Sequence, residues 1–180
     1  MAKQLGFLFD VNRCVGCRSC EMACKNEHQT SFKIRWRRVS QTSADSFLSI
    51  SCNHCESPEC FRVCPNRAYT KRRDGIVVIN SDRCDGCQTC ISACPYKAPQ
   101  FDLESRKVSK CDLCISKQEE GLLPACVNAC RTGALSILDL SGGLKKGLVK
   151  TLPHFPDHHL TRPSIRFYPY KDKKRYWVKN

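Results

Sequence analysis

The chain lacks any run approaching the roughly 20 consecutive apolar residues that a bilayer-crossing helix requires. The longest candidate, Gly75 to Ile79 (GIVVI), is the size of a strand, so no membrane span of its own is expected. Aromatic residues make up only 8% of 180 residues, and apolar residues 41% even with cysteine counted, which is thin for a conventional core. MAKQLGFLFD shows no hydrophobic signal-peptide core. Acidic residues are scarce, 17 against 30 Lys and Arg. There is no Ser/His/Asp set, no pair of catalytic carboxylates and no dinucleotide fingerprint. Gly142 and Gly147 have phosphate-loop spacing, but Leu148 stands where the lysine belongs. Nothing in the chain is equipped to make or break a substrate bond, and no catalytic residue is assigned.

What the chain does have is cysteine: sixteen, in four groups of four. They are Cys14, Cys17, Cys20, Cys24; Cys52, Cys55, Cys60, Cys64; Cys84, Cys87, Cys90, Cys94; and Cys111, Cys114, Cys126, Cys130. The third group, with Pro95 after it, is the bacterial ferredoxin run C-x2-C-x2-C-x3-C-P, in which three thiolates hold one [4Fe–4S] cluster and the fourth reaches a second. Three cysteines on a tight loop wrap one corner of a compact cube, while the fourth, one helical turn later, points the other way. Four groups imply four [4Fe–4S] clusters. Pro65 and Pro95 lack an N–H and turn the chain away from the cluster. Lys25 and Arg131 stand in that place in the first and last groups, whose exit geometry is therefore less constrained.

Two other readings of the cysteines are weaker. A disulfide scaffold suits a short secreted chain, not cysteines crowded two and three residues apart in 180 residues. Structural zinc takes paired C-x2-C knuckles, and the extra third cysteine of the first and third groups is surplus to it. The net charge of +13 points toward nucleic acid or an anionic surface. Sixteen thiolates add −16, however, and four oxidised cores of about +2 each return about +8, leaving about +5. Much of the basic excess is then counter-charge for the clusters. Arg35/Arg37/Arg38, Lys71/Arg72/Arg73, Lys145/Lys146/Lys150 and Lys171 to Arg175 read as solvated faces. His154, His158 and His159 read as surface groups, and His54 as a group beside the ligands or on the surface.

The elements are short and punctuated. Strands are expected at Phe7 to Asp10, Ser49 to Ser51, Lys33 to Val39, Ile76 to Ile79 after the Asp74-Gly75 turn, and Ala134 to Leu138, with a hairpin over Phe101 to Val108. Helical turns follow Cys20, Cys60, Cys90 and Cys114 and precede Cys130. The repeating unit is cysteine loop, helical turn, exit, strand. This predicts an α+β, duplicated bacterial dicluster-ferredoxin fold with two pseudo-symmetric lobes. The expected division is 1–48 with 98–140 (groups one and four), 49–97 (groups two and three), and a basic, cysteine-free C-terminal extension, 141–180.

The stretches SISCNHCESPECFRVCPNRAYTKRRDGIVVI, DRCDGCQTCISACPYKAPQF, KVSKCDLC and LPACVNACRTGAL, with the opening LGFLFDVNRCVGCRSCEMACKNEH and the closing LTRPSIRFYP, resemble the iron–sulfur electron-transfer subunit of the dimethyl sulfoxide reductase family within the molybdopterin oxidoreductases. The resemblance implies a non-catalytic subunit relaying electrons between an integral membrane quinone-interacting anchor subunit and a molybdopterin or tungstopterin catalytic subunit. It also implies membrane association through a partner, on either face, and no nucleic-acid partner. The resemblance does not fix the substrate. Some members of the superfamily carry Trp in place of one cysteine, whereas this chain has cysteine at all sixteen places. The family pairs group one with group four and group two with group three. Carried over by position, this implies four ligand sets: Cys14, Cys17, Cys20 and Cys130; Cys111, Cys114, Cys126 and Cys24; Cys52, Cys55, Cys60 and Cys94; Cys84, Cys87, Cys90 and Cys64. Within the class, a hydrogenase or formate dehydrogenase electron-transfer subunit is the alternative. Outside it stands a zinc-dependent nucleic-acid-binding protein.

Overall fold

The computed structural model describes residues 3–43, 46–143 and 145–171. Strand β1 (Leu5–Asp10) is the centre of a three-stranded sheet, with β8 (Leu135–Asp139) antiparallel on one side and β9 (Ile165–Tyr168) parallel on the other. Alternation along LGFLFD turns Phe7 and Phe9 inward, each 1% exposed. Gly6 is dictated by a close approach: a Cβ there would lie 2.1 Å from the Ser164 carbonyl oxygen, which accepts the Phe7 N–H at 2.9 Å. Register follows from the partners, Phe7 opposite Ile137 and Ile165.

Three hairpins complete the sheets: β2 (Arg38–Ser43) with β3 (Ser46–Ile50), β4 (Tyr69–Lys71) with β5 (Val77–Ile79), and β6 (Gln100–Asp102) with β7 (Lys107–Ser109). The helices are α1 (Ser19–His28), α2 (Glu59–Arg62), α3 (Thr89–Ala93), α4 (Ile115–Glu119), α5 (Ala125–Asn128) and α6 (His158–Thr161). Helices of four or five residues and three-residue strands are not stable by themselves. They hold their shape around what they enclose, and cysteines are part of it: Cys20, Cys24 and Cys126 lie in the main core cluster with Phe7, Phe9, Leu135, Ile165 and Phe167.

The strand expected over Lys33 to Val39 is not formed before Arg38. The Lys25 ammonium gathers the carbonyls of Thr30, Ser31, Phe32 and Ile34 at 2.7–3.4 Å, which curls this segment into turns. The side-chain alternation marks a loop that tucks in Ile34, Arg37 and Val39. The segment after Asp139 carries β9, the α6 contacts and Phe167, which has no exposed surface. Among the described residues no helix is long and apolar enough to cross a membrane. Of the basic run Lys171 to Arg175, residues 172–175 lie outside the described residues.

Candidate iron–sulfur sites

The four cysteine groups fall into two kinds of loop. Groups one and three are built alike. Asp10 Oδ1 accepts the Asn12 N–H at 2.9 Å and Asn80 Oδ1 accepts the Asp82 N–H at 2.8 Å, an Asx turn that launches each run. Gly16 (φ 71°) and Gly86 (φ 78°) turn the loop between the first two cysteines, and left-handed Arg18 and Gln88 start α1 and α3. Ser19 Oγ and Thr89 Oγ1 donate to Cys17 Sγ and Cys87 Sγ at 3.4 and 3.6 Å. Groups two and four share another plan. The residue before the second cysteine is left-handed in both, His54 and Leu113, and a proline, Pro58 or Pro124, precedes the short helix carrying the third.

After the fourth cysteine of three groups the chain makes one turn: Arg67, Lys97 and Gly133, all with positive φ, donate their N–H to the carbonyls of Cys64, Cys94 and Cys130 at 3.2, 3.0 and 3.0 Å. Arg131 in place of proline therefore leaves this exit unchanged. Cys24 differs, because α1 continues past it to His28.

The loops converge on small chambers. One is lined by Cys14, Cys17, Cys20 and Cys130 together with Phe9, Val39 and Leu135. A second is lined by Cys52, Cys55, Cys60 and Cys94, and a third by Cys64, Cys84, Cys87 and Cys90. The four remaining cysteines, Cys24, Cys111, Cys114 and Cys126, are all buried and lie within electrostatic range of one another. Each of these groupings combines residues from two runs. Each also touches the next. Cys20, Cys24 and Cys126 share the main core, Cys111 packs with Cys52 beside Ala98, and Cys60 packs with Cys90 under Tyr69 and Val108. Cys17 and Cys87, in the two outer groupings, are the exposed cysteines.

The chemistry of the donors fits iron–sulfur clusters. Burial pushes the Cys24 and Cys55 thiols up to about 12 and the Cys114 thiol to about 11, with Cys60 and Cys111 also raised, so that thiolate forms there in exchange for a bound cation. Hydrogen-bond donors already point at sulfur: the N–H groups of Ala68, Ala98, Val108 and Leu113 at 3.3–3.5 Å from Cys64, Cys94, Cys84 and Cys111. Carboxylates in the chamber walls are engaged elsewhere, Glu59 with Arg62 and Asp85 with the Cys87 N–H.

Several contributors were not legible in the sequence. His28 Nε2 lies 3.2 Å from Cys114 Sγ and 3.6 Å from Asp112, a signal that needed the length of α1 to find. The Tyr69 hydroxyl is turned toward Cys90. His54 has no exposed surface, and its Nδ1 accepts the Val77 N–H at 3.1 Å. Burial holds its imidazole well below the usual histidine range and therefore neutral. Much of the basic excess works inside the fold. Lys71 donates to the Cys55 and Glu56 carbonyls, Arg72 pairs with Asp74 and Glu119, and Lys110, 2% exposed, donates to the Cys111 and Val77 carbonyls.

Thiol-walled chambers ringed by N–H donors on short helical turns define a ferredoxin-type iron–sulfur protein. A family model described as a 4Fe-4S dicluster domain matches residues 44–140, and one described as a 4Fe-4S binding domain matches residues 11–27. The B chain of anaerobic dimethyl sulfoxide reductase from Escherichia coli K12 is 38% identical over 94% of this chain and 90% of its own length. The B component of tetrathionate reductase from Salmonella typhimurium is 41% identical over 74% of this chain and 57% of its own length. The B chain of polysulfide reductase from Wolinella succinogenes is 38% identical over 78% of this chain and 79% of its own length. The protein belongs to this family of iron–sulfur reductase components, proteins of electron transport that hold [4Fe–4S] clusters.

Proposed function

We propose that the chain is the non-catalytic electron-transfer subunit of a dimethyl sulfoxide reductase-like respiratory complex, holding four [4Fe–4S] clusters. The first site takes Cys14, Cys17, Cys20 and Cys130, the second Cys24, Cys111, Cys114 and Cys126, the third Cys52, Cys55, Cys60 and Cys94, and the fourth Cys64, Cys84, Cys87 and Cys90. Residues 1–48 with 98–140 form one lobe around the first two sites, and 49–97 the other around the last two. The observation that carries this reading is the gathering of sixteen cysteines into four neighbouring groupings, each drawn from two runs.

Each bound cluster supplies a one-electron centre. The protein's part is to fix spacing, exclude water and tune each centre through hydrogen bonds and nearby charge. The core clusters that hold Cys20 with Cys126, Cys111 with Cys52, and Cys60 with Cys90 support the linear order first, second, third, fourth. Exposed Cys17 and Cys87 make the outer sites the points of entry and exit. One end would meet a quinone-interacting membrane anchor and the other a molybdenum- or tungsten-pterin catalytic subunit, which ties the chain to the membrane through its partner.

The test is composition. Anaerobically purified protein is expected to carry about 16 iron and a similar amount of acid-labile sulfide per chain, as four cubane clusters require. Iron near eight, or stoichiometric zinc, would overturn the four-cluster reading. Co-purification with a pterin-containing large subunit is expected, and a brown protein that never associates with one would overturn the assignment to this kind of complex.

A further inference from the structure

Arg37 is 1% exposed, the bulkiest of the fully buried side chains, and it forms no ion pair with a carboxylate among the described residues. Its guanidinium donates to Ser51 Oγ at 2.8 Å and to Ser49 Oγ and O at 3.1 and 3.4 Å, and stacks over Phe7 with 4.4 Å to the ring centroid, while Nε has no partner. Glu21, the buried acid, is committed to Arg35 and to the Val39 N–H. A buried cation with only neutral partners is strongly disfavoured, so its counter-charge must come from what it faces. Phe7, on which it stacks, lies in one core cluster with Cys20, Cys24 and Cys126, and thiolates at Cys126, Cys111, Cys20 and Cys24 are the charges that act on it. Ser49 Oγ lies 3.3 Å from Cys20 Sγ, so a hydroxyl connects the guanidinium to the first site, and Phe7 shares the core with Cys24 and Cys126 of the second.

Resting on the four-site reading, we infer that Arg37 is the shared counter-charge of the first and second sites, holding both reduction potentials up. Reduction adds one negative charge to a site, and a fixed buried cation favours the form that carries it. One guanidinium between two sites moves both in the same direction. The cysteines that act most strongly on its charge, Cys126, Cys111, Cys20 and Cys24, all belong to the first and second sites.

The test is a redox titration of the complex, followed by electron paramagnetic resonance, with Arg37→Gln, Arg37→Lys and Ser49→Ala. In Arg37→Gln the reduced-to-oxidised ratio of the first and second sites at a fixed poise is expected to fall at least tenfold, which is about 59 mV for a one-electron couple. The other two sites are expected to stay in place. Arg37→Lys, which keeps the charge, is expected to restore most of the shift. Ser49→Ala removes only the hydroxyl, and it is expected to lower the first site while leaving the second unchanged. Should Arg37→Gln fail to load iron, Ser49→Ala decides, and an unmoved first site there overturns the inference. It is equally overturned by a fully loaded Arg37→Gln with all four potentials unchanged, or with all four displaced alike. Fewer than four centres in the unmodified complex would instead refute the four-site reading, a separate and distinguishable failure.

Discussion

His54 is held by three bonds besides burial. Its Nδ1 accepts the Val77 N–H, and its carbonyl accepts from Ser164 Oγ and Gln4 Nε2. The backbone bonds survive substitution, so His54→Ala isolates the ring. We predict that it leaves the Val77 N–H unpaired in a dry place and costs about 1–3 kcal/mol. A lower urea midpoint for loss of visible absorbance, with iron content unchanged in native conditions, is the expected result. His28 makes a different case, because its ring touches Cys114 Sγ and lies tilted against Trp36 with centroids 4.5 Å apart. His28→Phe keeps the ring contact but removes the nitrogen beside the sulfur, and we predict a lower potential at the second site alone. If instead the second site were lost, the ring would be a structural prop. At this scale the sequence showed the sixteen thiols, because their spacing is local. It hid Arg37, Lys110 and Tyr69 and left His54 between a place beside the ligands and the surface, because what makes them matter is contact with residues far along the chain. A run such as Arg35-Trp36-Arg37-Arg38 reads as solvated charge until Phe7, Ser49 and Ser51 close over its third member.

Loops with the same plan need not tolerate the same change. A Cβ at Gly86 would sit 2.3 Å from the Arg106 carbonyl oxygen, which belongs to the β6–β7 hairpin turn, whereas at Gly16 it would meet the Phe47 ring at 2.6 Å. Both positions have positive φ, a penalty of about 1–3 kcal/mol for a non-glycine residue. The ring can move and the backbone cannot. We therefore predict that Gly86→Ala loses the fourth site, giving about 12 iron per chain, while Gly16→Ala keeps about 16 and is merely less stable. Helix α1 allows a second test, since Cys20 and Cys24 are one turn apart and serve different sites in the proposed assignment. Cys20→Ser and Cys130→Ser are expected to perturb one magnetic centre and Cys24→Ser its neighbour. A common signal for Cys126→Ser and Cys130→Ser would reject the pairing. The β6–β7 hairpin, the turn before β5 and the helical turns around the cysteines were legible from turn residues and periodicity, whereas the β2–β3 hairpin was not. Strand β9 was not assigned, although Ile165 and Phe167 alternate with Arg166 and Tyr168, because a parallel partner at the opposite end of the chain leaves no local mark.

At the scale of the molecule, thiol chemistry and folding are one problem. Metal-free, the chain would face its own chambers with protonated thiols and with Arg37 and Lys110 buried without counter-charge. We predict that stripping the iron anaerobically abolishes the cooperative transition seen with bound clusters, as read by near-ultraviolet circular dichroism. Reconstitution with iron and sulfide is expected to restore it. A metal-free chain with an intact transition would show that the apolar core suffices alone. Within the proposed complex, the protein should support quinol-driven turnover only while every site is intact. A dye that reduces the pterin subunit directly should bypass that requirement.

In the proposed assignment the third and fourth sites draw every donor from the stretch between Cys52 and Cys94, whereas the first and second wait for Cys126 and Cys130. During synthesis the middle of the protein therefore has its complete donor sets before the beginning does, and the opening run, Cys14 to Cys24, emerges from the ribosome with no partner. Those four thiols stay open to oxidation or to a stray metal until the chain is almost finished, and β1 cannot pair with β9 before Ile165 arrives. A premature stop shortly after Cys94 would leave a half-built product with two filled sites and four orphaned thiols at its head. Cluster delivery that begins in the middle of the chain is thus written into its connectivity.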